Sequence, residues 1–378
     1  MKLERRLEQP WWLSVAVPLG SLVVAFGIMA VILAATGHDP VETYREILDA
    51  AFTGNGAFSA TFISATPILF TGLAAAAAFR MQLFNIGAEG QLYLGAVGAS
   101  WIALQLGDRS AASTPLYVVA MCVAAGLAGA LWALIPGVLR AFARTNEIIT
   151  SLMLNYVAGL LLTYLIFDSS SYWRDTSTLQ ARAFPQGKPM PEASNWPTFG
   201  SEVVVPLGFV IGLATALALW VLYTRMRFGF EVGVIADSPR AARYAGMRTR
   251  RKILSVMAVS GAIAGIGGAS QIGDFTYTLD GSTTGLQAAA FGYTGIVVAA
   301  LARYNPLAVC LVAVLIGGLQ NAGYTLQGPD FPSGLVGVMQ GIILFCALGG
   351  ELLFRYRLRI RRRSSAQGAS GPAVEPAR

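Results

Sequence analysis

The chain has 378 residues, of which 55% are hydrophobic and only 12% are charged, and its formal net charge is +7. Soluble domains carry about 25% charged residues, so this composition excludes a soluble globular protein and indicates an integral membrane protein. Apolar runs of about 20 residues recur along the whole length, which predicts several helical spans and excludes a transmembrane barrel.

In chain order, these runs predict ten helical spans and an all-α polytopic membrane protein. Residues 1–10 are basic and lead into the first apolar run without a small-residue cleavage signal, so we expect an uncleaved first span. The predicted spans are 11–36, 59–79, 92–106, 115–139, 148–167, 203–224, 253–272, 286–301, 306–324 and 334–354. We expect one membrane domain over 1–360 and a disordered basic and polar tail over 361–378.

Basic residues divide unevenly between the two sides that ten spans would create. Of the 27 lysines and arginines, 22 fall in segments on the side of the termini and 5 fall on the opposite side. Cytoplasmic loops of membrane proteins carry an excess of positive charge, so we predict cytoplasmic N and C termini. The same division explains the net positive charge without a nucleic-acid partner.

The cysteines and the histidine give no indication of a metal site or a disulfide. Cys122, Cys310 and Cys346 all lie in apolar runs, which is typical of small packing residues. His38 is the single histidine and follows the first apolar run. We therefore expect no metal and no cofactor bound to this chain.

The sequence lacks the signature of an ATPase. A Walker A loop needs Gly-Lys followed by Ser or Thr, but Gly187-Lys188 is followed by Pro189, and no other lysine follows a glycine. We therefore expect a transport subunit without catalytic residues, and we expect that any ATP hydrolysis belongs to another polypeptide.

The stretch 83–93, between the second and third spans, holds polar residues and glycines where apolar residues would be expected. A carboxylate at the bilayer centre costs about 2.5–3.5 kcal/mol on insertion scales and usually faces a pathway or a partner. Glu89, with Asn85 and Gln91 beside it, is therefore a candidate for the transport path or its gate. The alternative is a polar loop at the cytoplasmic surface, because Arg80 marks a membrane edge nearby.

Small residues recur four positions apart in two of the predicted spans. Gly261 and Gly265 lie in the seventh span, and Gly337 and Gly341 lie in the tenth. Glycines at this spacing let helix backbones approach closely, so we expect both faces to pack against neighbouring helices.

A short helix is predicted between the sixth and seventh spans. Asp237 or Ser238 can cap it, Pro239 suits its first position and Gly246 suits its end, which predicts a helix over 239–245. The segment either docks on a partner protein or is an ordinary basic loop in contact with lipid headgroups.

Six motifs, in their order along the chain, resemble those of the permease subunits of bacterial ABC importers, in the branch that takes up nucleosides and simple sugars and is related to the ribose permeases. The resemblance covers roughly residues 60–350. The motifs are FNIGAEGQ (84–91), TNEII (145–149) with MLNY (153–156), ADSPRAARYAG (236–246) and FGYTGIVVA (291–299) with NPL (305–307).

The resemblance implies a set of partners and a location in the bacterial inner membrane. They are an ABC ATPase subunit that holds ATP and Mg, a second homologous permease subunit forming a heterodimer, and an extracytoplasmic substrate-binding protein. It also implies that segment 237–246 is the coupling helix on the ATPase. The residues it assigns to that contact are Asp237, Pro239, Arg240, Arg243, Tyr244 and Gly246.

Six residues are candidates for the pathway of a nucleoside or sugar. Their polar groups could exchange hydrogen bonds with hydroxyls or ring nitrogens, and their aromatic rings could stack on a base. The candidates are Asn85, Glu89, Gln91, Asn155, Phe291 and Tyr293. The alternative is that the amides bond to neighbouring helices and that the aromatic rings pack.

Two other functional classes compete with the importer. A self-contained transporter coupled to protons or sodium through Glu89 is compatible with ten spans and one membrane carboxylate. A membrane enzyme acting on lipid or glycan is disfavoured by the single histidine and by the lack of paired membrane carboxylates.

Overall fold

The computed structural model describes residues 2–5, 13–107, 113–168, 170–282, 286–326 and 334–359. Within these ranges the chain is mostly helical. The helices are α1 Leu13–Ala35, α2 Pro40–Leu48, α3 Ala57–Phe79, α4 Ala88–Leu106, α5 Thr114–Val138, α6 Glu147–Thr163, α7 Leu179–Ala183, α8 Leu207–Thr224, α9 Arg227–Asp237, α10 Pro239–Tyr244, α11 Thr249–Gln271, α12 Phe291–Leu301, α13 Pro306–Thr325 and α14 Leu335–Arg355. The strands are β1 Lys2–Arg5, β2 Thr198–Phe199, β3 Val205–Pro206 and β4 Tyr356–Arg359. The predicted tail over 361–378 lies outside the described residues.

Each of the ten predicted spans coincides with one helix of the described ranges. Six helical segments are long and apolar enough to cross a membrane, and they contain α3, α5, α6, α8, α11 and α13. Parts of α1 and α14, and all of α12, are shorter apolar helices. α4 has 19 residues but carries Glu89 and Gln91 in its first two turns. The predicted helical membrane fold is thus confirmed, with six segments of sufficient length and hydropathy among the described residues.

The helix α11 packs so closely against α5 and α4 that their backbones are in contact. A Cβ on Gly265 would collide with the carbonyl oxygen of Ala125 on α5, and a Cβ on Gly268 would collide with that of Leu92 on α4. Gly129 of α5 meets α11 in the same way at Gly261. The close approach predicted for this glycine face is therefore present, and it fixes α11 between two other helices.

The second predicted glycine face does not pack. Neither Gly337 nor Gly341 of α14 has a heavy atom within 4 Å of the position its Cβ would take, measured outside its own helical turn. α14 instead lies beside α1, where a Cβ on Gly350 would collide with the side chain of Ser21. The prediction for Gly337 and Gly341 was wrong because spacing along one helix does not identify the face that its neighbours cover.

One end of the bundle collects the basic segments, and we call it the basic end. The α3–α4 turn, the end of α5 and the segment 225–252 meet there around a shared cavity. The strands β1 and β4 pair in antiparallel fashion, with Lys2 opposite Arg359. The positions of Arg140 and Arg250 around one cavity agree with the predicted grouping of basic segments.

The opposite end carries the long connection 170–206, and we call it the loop end. This connection is tied to the segment after α11 by two backbone hydrogen bonds. The N–H of Met190 donates to the Tyr277 carbonyl at 2.9 Å, and the N–H of Trp196 donates to the Gly273 carbonyl at 2.9 Å. The Trp196 side chain is buried, so the connection packs on the helix bundle.

Replacing Gly265 with alanine should destabilise the fold, because the new methyl group meets the α5 backbone, which a side-chain rotation cannot relieve. Overpacking of this kind costs about 1–3 kcal/mol. The measurement is the melting temperature of the detergent-solubilised transporter. Gly341→Ala is the matched control, since open space surrounds Gly341. Equal melting temperatures for the two variants would contradict the close contact.

Candidate functional site

The connection between α3 and α4 is not helical, and part of it is buried. Residues 80–87 form turns and extended backbone before α4 begins at Ala88. The side chains of Asn85, Glu89 and Gln91 are only 0%, 2% and 1% exposed. These polar groups therefore lie in the protein interior, close to the basic end, and each needs a hydrogen-bonding partner there.

The side-chain amides of Asn85 and Gln91 hydrogen-bond to each other, and Asn85 also hydrogen-bonds to α11. Asn85 Nδ2 donates to Gln91 Oε1 at 3.0 Å, and Gln91 Nε2 donates to Asn85 Oδ1 at 3.0 Å. Asn85 Nδ2 also donates to Ser260 Oγ at 2.9 Å. Ser260 in turn donates to the carbonyl of Ala74 on α3 at 2.7 Å. This chain of bonds holds α3, α4 and α11 together where the backbone is not helical.

Asn155 of α6 caps the start of α4 from a neighbouring helix. The first N–H groups of a helix lack partners within the helix, and no side chain at Gly87 caps this one. The N–H of Gly90 instead donates to Asn155 Oδ1 at 2.9 Å. Asn155 Nδ2 donates to the Ile86 carbonyl at 2.9 Å and to Tyr293 Oη at 3.2 Å. One side chain thus joins α6, α12 and the turn.

Glu89 is held by two donors. Tyr93, one helical turn further on, donates its hydroxyl to Glu89 Oε1 at 2.5 Å. The N–H of Gly292, at the start of α12, donates to Glu89 Oε2. A Cβ at Gly292 would overlap the Glu89 backbone, so this approach requires glycine. Just before it, the Phe291 carbonyl accepts a hydrogen bond from Thr71 of α3 at 2.8 Å.

The six predicted pathway residues therefore form one cluster, which we call the buried junction. It consists of Asn85, Glu89, Gln91, Asn155, Phe291 and Tyr293. Their polar side chains hydrogen-bond to other protein groups, and only Tyr293 among the six, at 38%, is substantially exposed. Sequence reasoning missed the supporting donors Tyr93 and Ser260. The spacing of four between Glu89 and Tyr93 is a signal that could have revealed the first of these.

The predicted coupling segment forms the short helix α10 at the basic end. Ser238 is its cap, and its Oγ accepts from the N–H of Ala241 at 3.3 Å, while Asp237 is the last residue of α9. Pro239 occupies the first turn, and Gly246 has the left-handed φ of 75° that ends such a helix readily. The helix ends at Tyr244, one residue earlier than predicted.

The exposed surface of α10 is aromatic and basic. The Tyr244 side chain is 98% exposed, and Arg240 and Arg243 are exposed as well. Arg243 Nε donates back to the Pro239 carbonyl at 3.2 Å, which steadies one turn. A fully exposed tyrosine beside two exposed arginines is compatible with a partner at this place.

A cavity of about 340 Å³ opens at the loop end, and we call it the loop-end cavity. It lies between α3, α13 and the segment that joins α11 to α12. Its polar lining consists of Ser64, Gln271, Thr276, Asp280 and Asn321, and its aromatic lining consists of Phe275, Phe291 and Tyr324. Phe291 belongs to both this cavity and the buried junction. Sequence reasoning missed the other lining residues, although Gln271 and Asn321 are amides inside apolar runs.

Among the described residues, no group of three or more histidine, cysteine or carboxylate side chains is placed to hold a metal ion. The buried junction contains amides and one carboxylate near the basic end. The loop-end cavity is open and is lined by polar and aromatic residues. These features suit reversible hydrogen bonding and stacking with a small polar molecule.

A family model described as "Branched-chain amino acid transport system / permease component" matches residues 57–348. The chain belongs to this permease family. The match spans α3 to α14, and thus both the buried junction and α10.

Three relatives resemble this chain over nearly its whole length. The glucose ABC transporter permease protein TsgB13 of Haloferax volcanii is 32% identical over 95% of this chain and 94% of its own. The guanosine ABC transporter permease protein NupP of Bacillus subtilis is 31% identical over 87% of this chain and 91% of its own. The nucleoside ABC transporter permease protein NupB of Lactococcus lactis is 28% identical over 88% of this chain and 90% of its own.

Bacillus subtilis and Lactococcus lactis each have a second permease that matches this chain at lower identity. NupQ of Bacillus subtilis is 26% identical over 69% of this chain and 80% of its own length. NupC of Lactococcus lactis is 23% identical over 68% of this chain and 78% of its own length.

Family membership confirms that this chain is an integral membrane protein and a non-enzymatic permease subunit of an ABC transporter. An ATPase subunit and a substrate-binding protein are its partners in such a system. The family lends no support to the alternative of a self-contained, ion-coupled transporter.

Replacing Asn155 with alanine should lower stability, because the N–H of Gly90 and the carbonyl of Ile86 lose a buried partner. Each such loss costs about 1–3 kcal/mol. The melting temperature of the solubilised transporter is the measurement. Met153→Ala, at a half-exposed position of the same helix, is the control. An unchanged melting temperature with reduced uptake would instead indicate that Asn155 acts on the substrate.

Proposed function

We propose that this chain forms half of the membrane pathway of an ABC importer for a nucleoside or a related simple sugar. The observation that carries the proposal is the similarity, over nine-tenths or so of the chain, to permeases named for guanosine, nucleosides and glucose. The family description names branched-chain amino acids instead. The lining of the loop-end cavity favours a ring-bearing, hydroxylated molecule over an aliphatic amino acid.

The loop-end cavity has the chemistry to receive such a molecule. Phe275 and Tyr324 are 55% and 52% exposed and can offer their faces to a base or the apolar face of a sugar. The amides of Gln271 and Asn321 and the carboxylate of Asp280 can exchange hydrogen bonds with ring nitrogens and hydroxyls. A volume of about 340 Å³ lies at the small end of ligand pockets, which suits one nucleoside or sugar.

In this proposal the ten predicted spans cross the membrane, the span 286–301 including residues before α12, and the basic end faces the cytoplasm. The support is the concentration of basic residues in the segments of that end, as cytoplasmic loops require. The loop-end cavity then opens to the outside, where the substrate-binding protein releases its ligand. The buried junction lies further along the same route and keeps it closed in this conformation, since its polar groups bond to one another.

Coupling to ATP would begin at α10. We propose that Arg240, Arg243 and Tyr244 contact the ATPase subunit, which alone binds ATP and Mg. α11 starts five residues after α10 and ends at Gln271 in the loop-end cavity. Because α11 is in backbone contact with α5 and α4, a displacement of α10 would move these helices together. ATP binding could thereby bias the permease between two states of access.

The second half of the pathway would be a homologous but different permease. The support is that two organisms each hold two matching permeases that differ in their identity to this chain. A heterodimer of this chain with such a sister subunit would place two pathways side by side.

Replacing Phe275 with alanine should reduce the initial rate of substrate uptake by about twofold to twelvefold, the factor that corresponds to one aromatic contact of about 0.5–1.5 kcal/mol. The assay is ATP-dependent uptake of labelled guanosine and glucose at matched expression. Phe345→Ala removes an equally large and more exposed ring, 79% exposed, on α14 and is the control. Unchanged uptake of both substrates by the Phe275 variant would count against the cavity.

Replacing Tyr244 with alanine should abolish most of the ligand-stimulated ATPase activity, since this exposed ring is the most prominent contact that α10 offers. Tyr244→Phe keeps the ring and should retain the activity. The full complex, reconstituted in lipid, is assayed with and without the binding protein and substrate. Full stimulation in the alanine variant would show that α10 is not the coupling contact.

A further inference from the structure

We infer that a second cavity, at the basic end, binds the phosphate group of an anionic phospholipid. This basic-end cavity has a volume of about 610 Å³ and lies between α10 and the α3–α4 turn. Four arginines line it, from three separate parts of the chain: Arg140, Arg144, Arg243 and Arg250. No aspartate or glutamate lines it.

The charge of this cavity is only partly compensated. The described part of the chain holds two salt bridges, and only the one between Arg140 and Glu147, at 3.2 Å, involves a cavity arginine. The Arg250 guanidinium lies 5.3 Å from the centre of the Phe142 ring. Arg144 and Arg250 are both exposed. Several guanidinium groups around one concave space attract an anion, and their planar forks suit phosphate oxygens.

The remaining lining distinguishes a lipid from a soluble phosphate. Leu83, Ile235 and Ile253 form apolar parts of the same wall. Phe142, 57% exposed, lies beside Arg250 at the end of α5. Thr249 also lines the cavity, and its buried hydroxyl has no hydrogen-bond partner among the described residues. A phospholipid has a charged headgroup joined to apolar acyl chains, and this matches a cavity lined by both arginines and apolar residues.

The proposed orientation places the basic-end cavity on the cytoplasmic side, where the headgroups of the inner leaflet lie. This step rests on the proposed orientation, in which the basic end faces the cytoplasm. Anionic lipids of that leaflet attract basic residues beside membrane helices, and basic pockets between helices bind such headgroups. A lipid bound here would touch α10 and the turn that leads into the buried junction, so it would support the contact between them.

The test compares the double variant Arg144→Gln/Arg250→Gln with the control Arg248→Gln/Arg251→Gln. The control removes the same charge from exposed arginines of the same segment that do not line the cavity. The intact transporter complex is reconstituted in nanodiscs of phosphatidylcholine with phosphatidylglycerol, and retained phosphatidylglycerol is counted by native mass spectrometry. Each cavity arginine should contribute about fivefold in affinity.

We expect the cavity variant to lose bound phosphatidylglycerol while the control retains it. Equal retention by both variants would overturn the inference, as would displacement of the lipid by inorganic phosphate alone, which would identify a site for a free anion. Absence of retained lipid from the unmodified complex would also overturn it and would indicate that the ATPase covers these arginines. Because the readout is bound lipid, it stays separate from the nucleoside or sugar uptake that tests the proposed function.

Discussion

A non-helical backbone inside a membrane protein must have its hydrogen bonds satisfied by protein groups, and this constraint organises the buried junction. The turn between α3 and α4 exposes N–H and carbonyl groups that no helix can pair. Asn155 supplies partners for Gly90 and Ile86, and the Glu89 carboxylate supplies one for Gly292. Two helices besides α4, namely α6 and α12, are thereby tied to one short stretch of chain.

The glycine contacts of α11 give this arrangement a mechanical consequence. α11 runs from the basic end to the loop-end cavity, and its backbone touches those of α5 and α4. Ser260, in the middle of α11, also bonds to Asn85 in the buried junction. α11 therefore links the short segment after α10 to both the buried junction and the loop-end cavity. A permease that is driven by a separate ATPase needs such a link.

The two ends of the molecule present different chemistry to their surroundings. The loop-end cavity offers amides, a carboxylate and aromatic faces, whereas the basic-end cavity offers arginines beside apolar residues. The junction between them is closed by hydrogen bonds among its own residues. These features are the basis for our proposal that the subunit receives a neutral polar solute at one end and binds anionic lipid at the other, while a separate ATPase subunit is its partner.

The sequence by itself determined the helical membrane fold, the places of the helices and the family, because long apolar runs and short motifs are local signals. It placed the start of the third span at residue 92, but α4 begins at Ala88, since Glu89 and Gln91 find buried partners. Only the tertiary structure decided those partners. Glu89 and Gly292 are 203 positions apart, and equally spaced glycines packed on α11 but not on α14, because the neighbour that covers a face is not encoded in the spacing of that face.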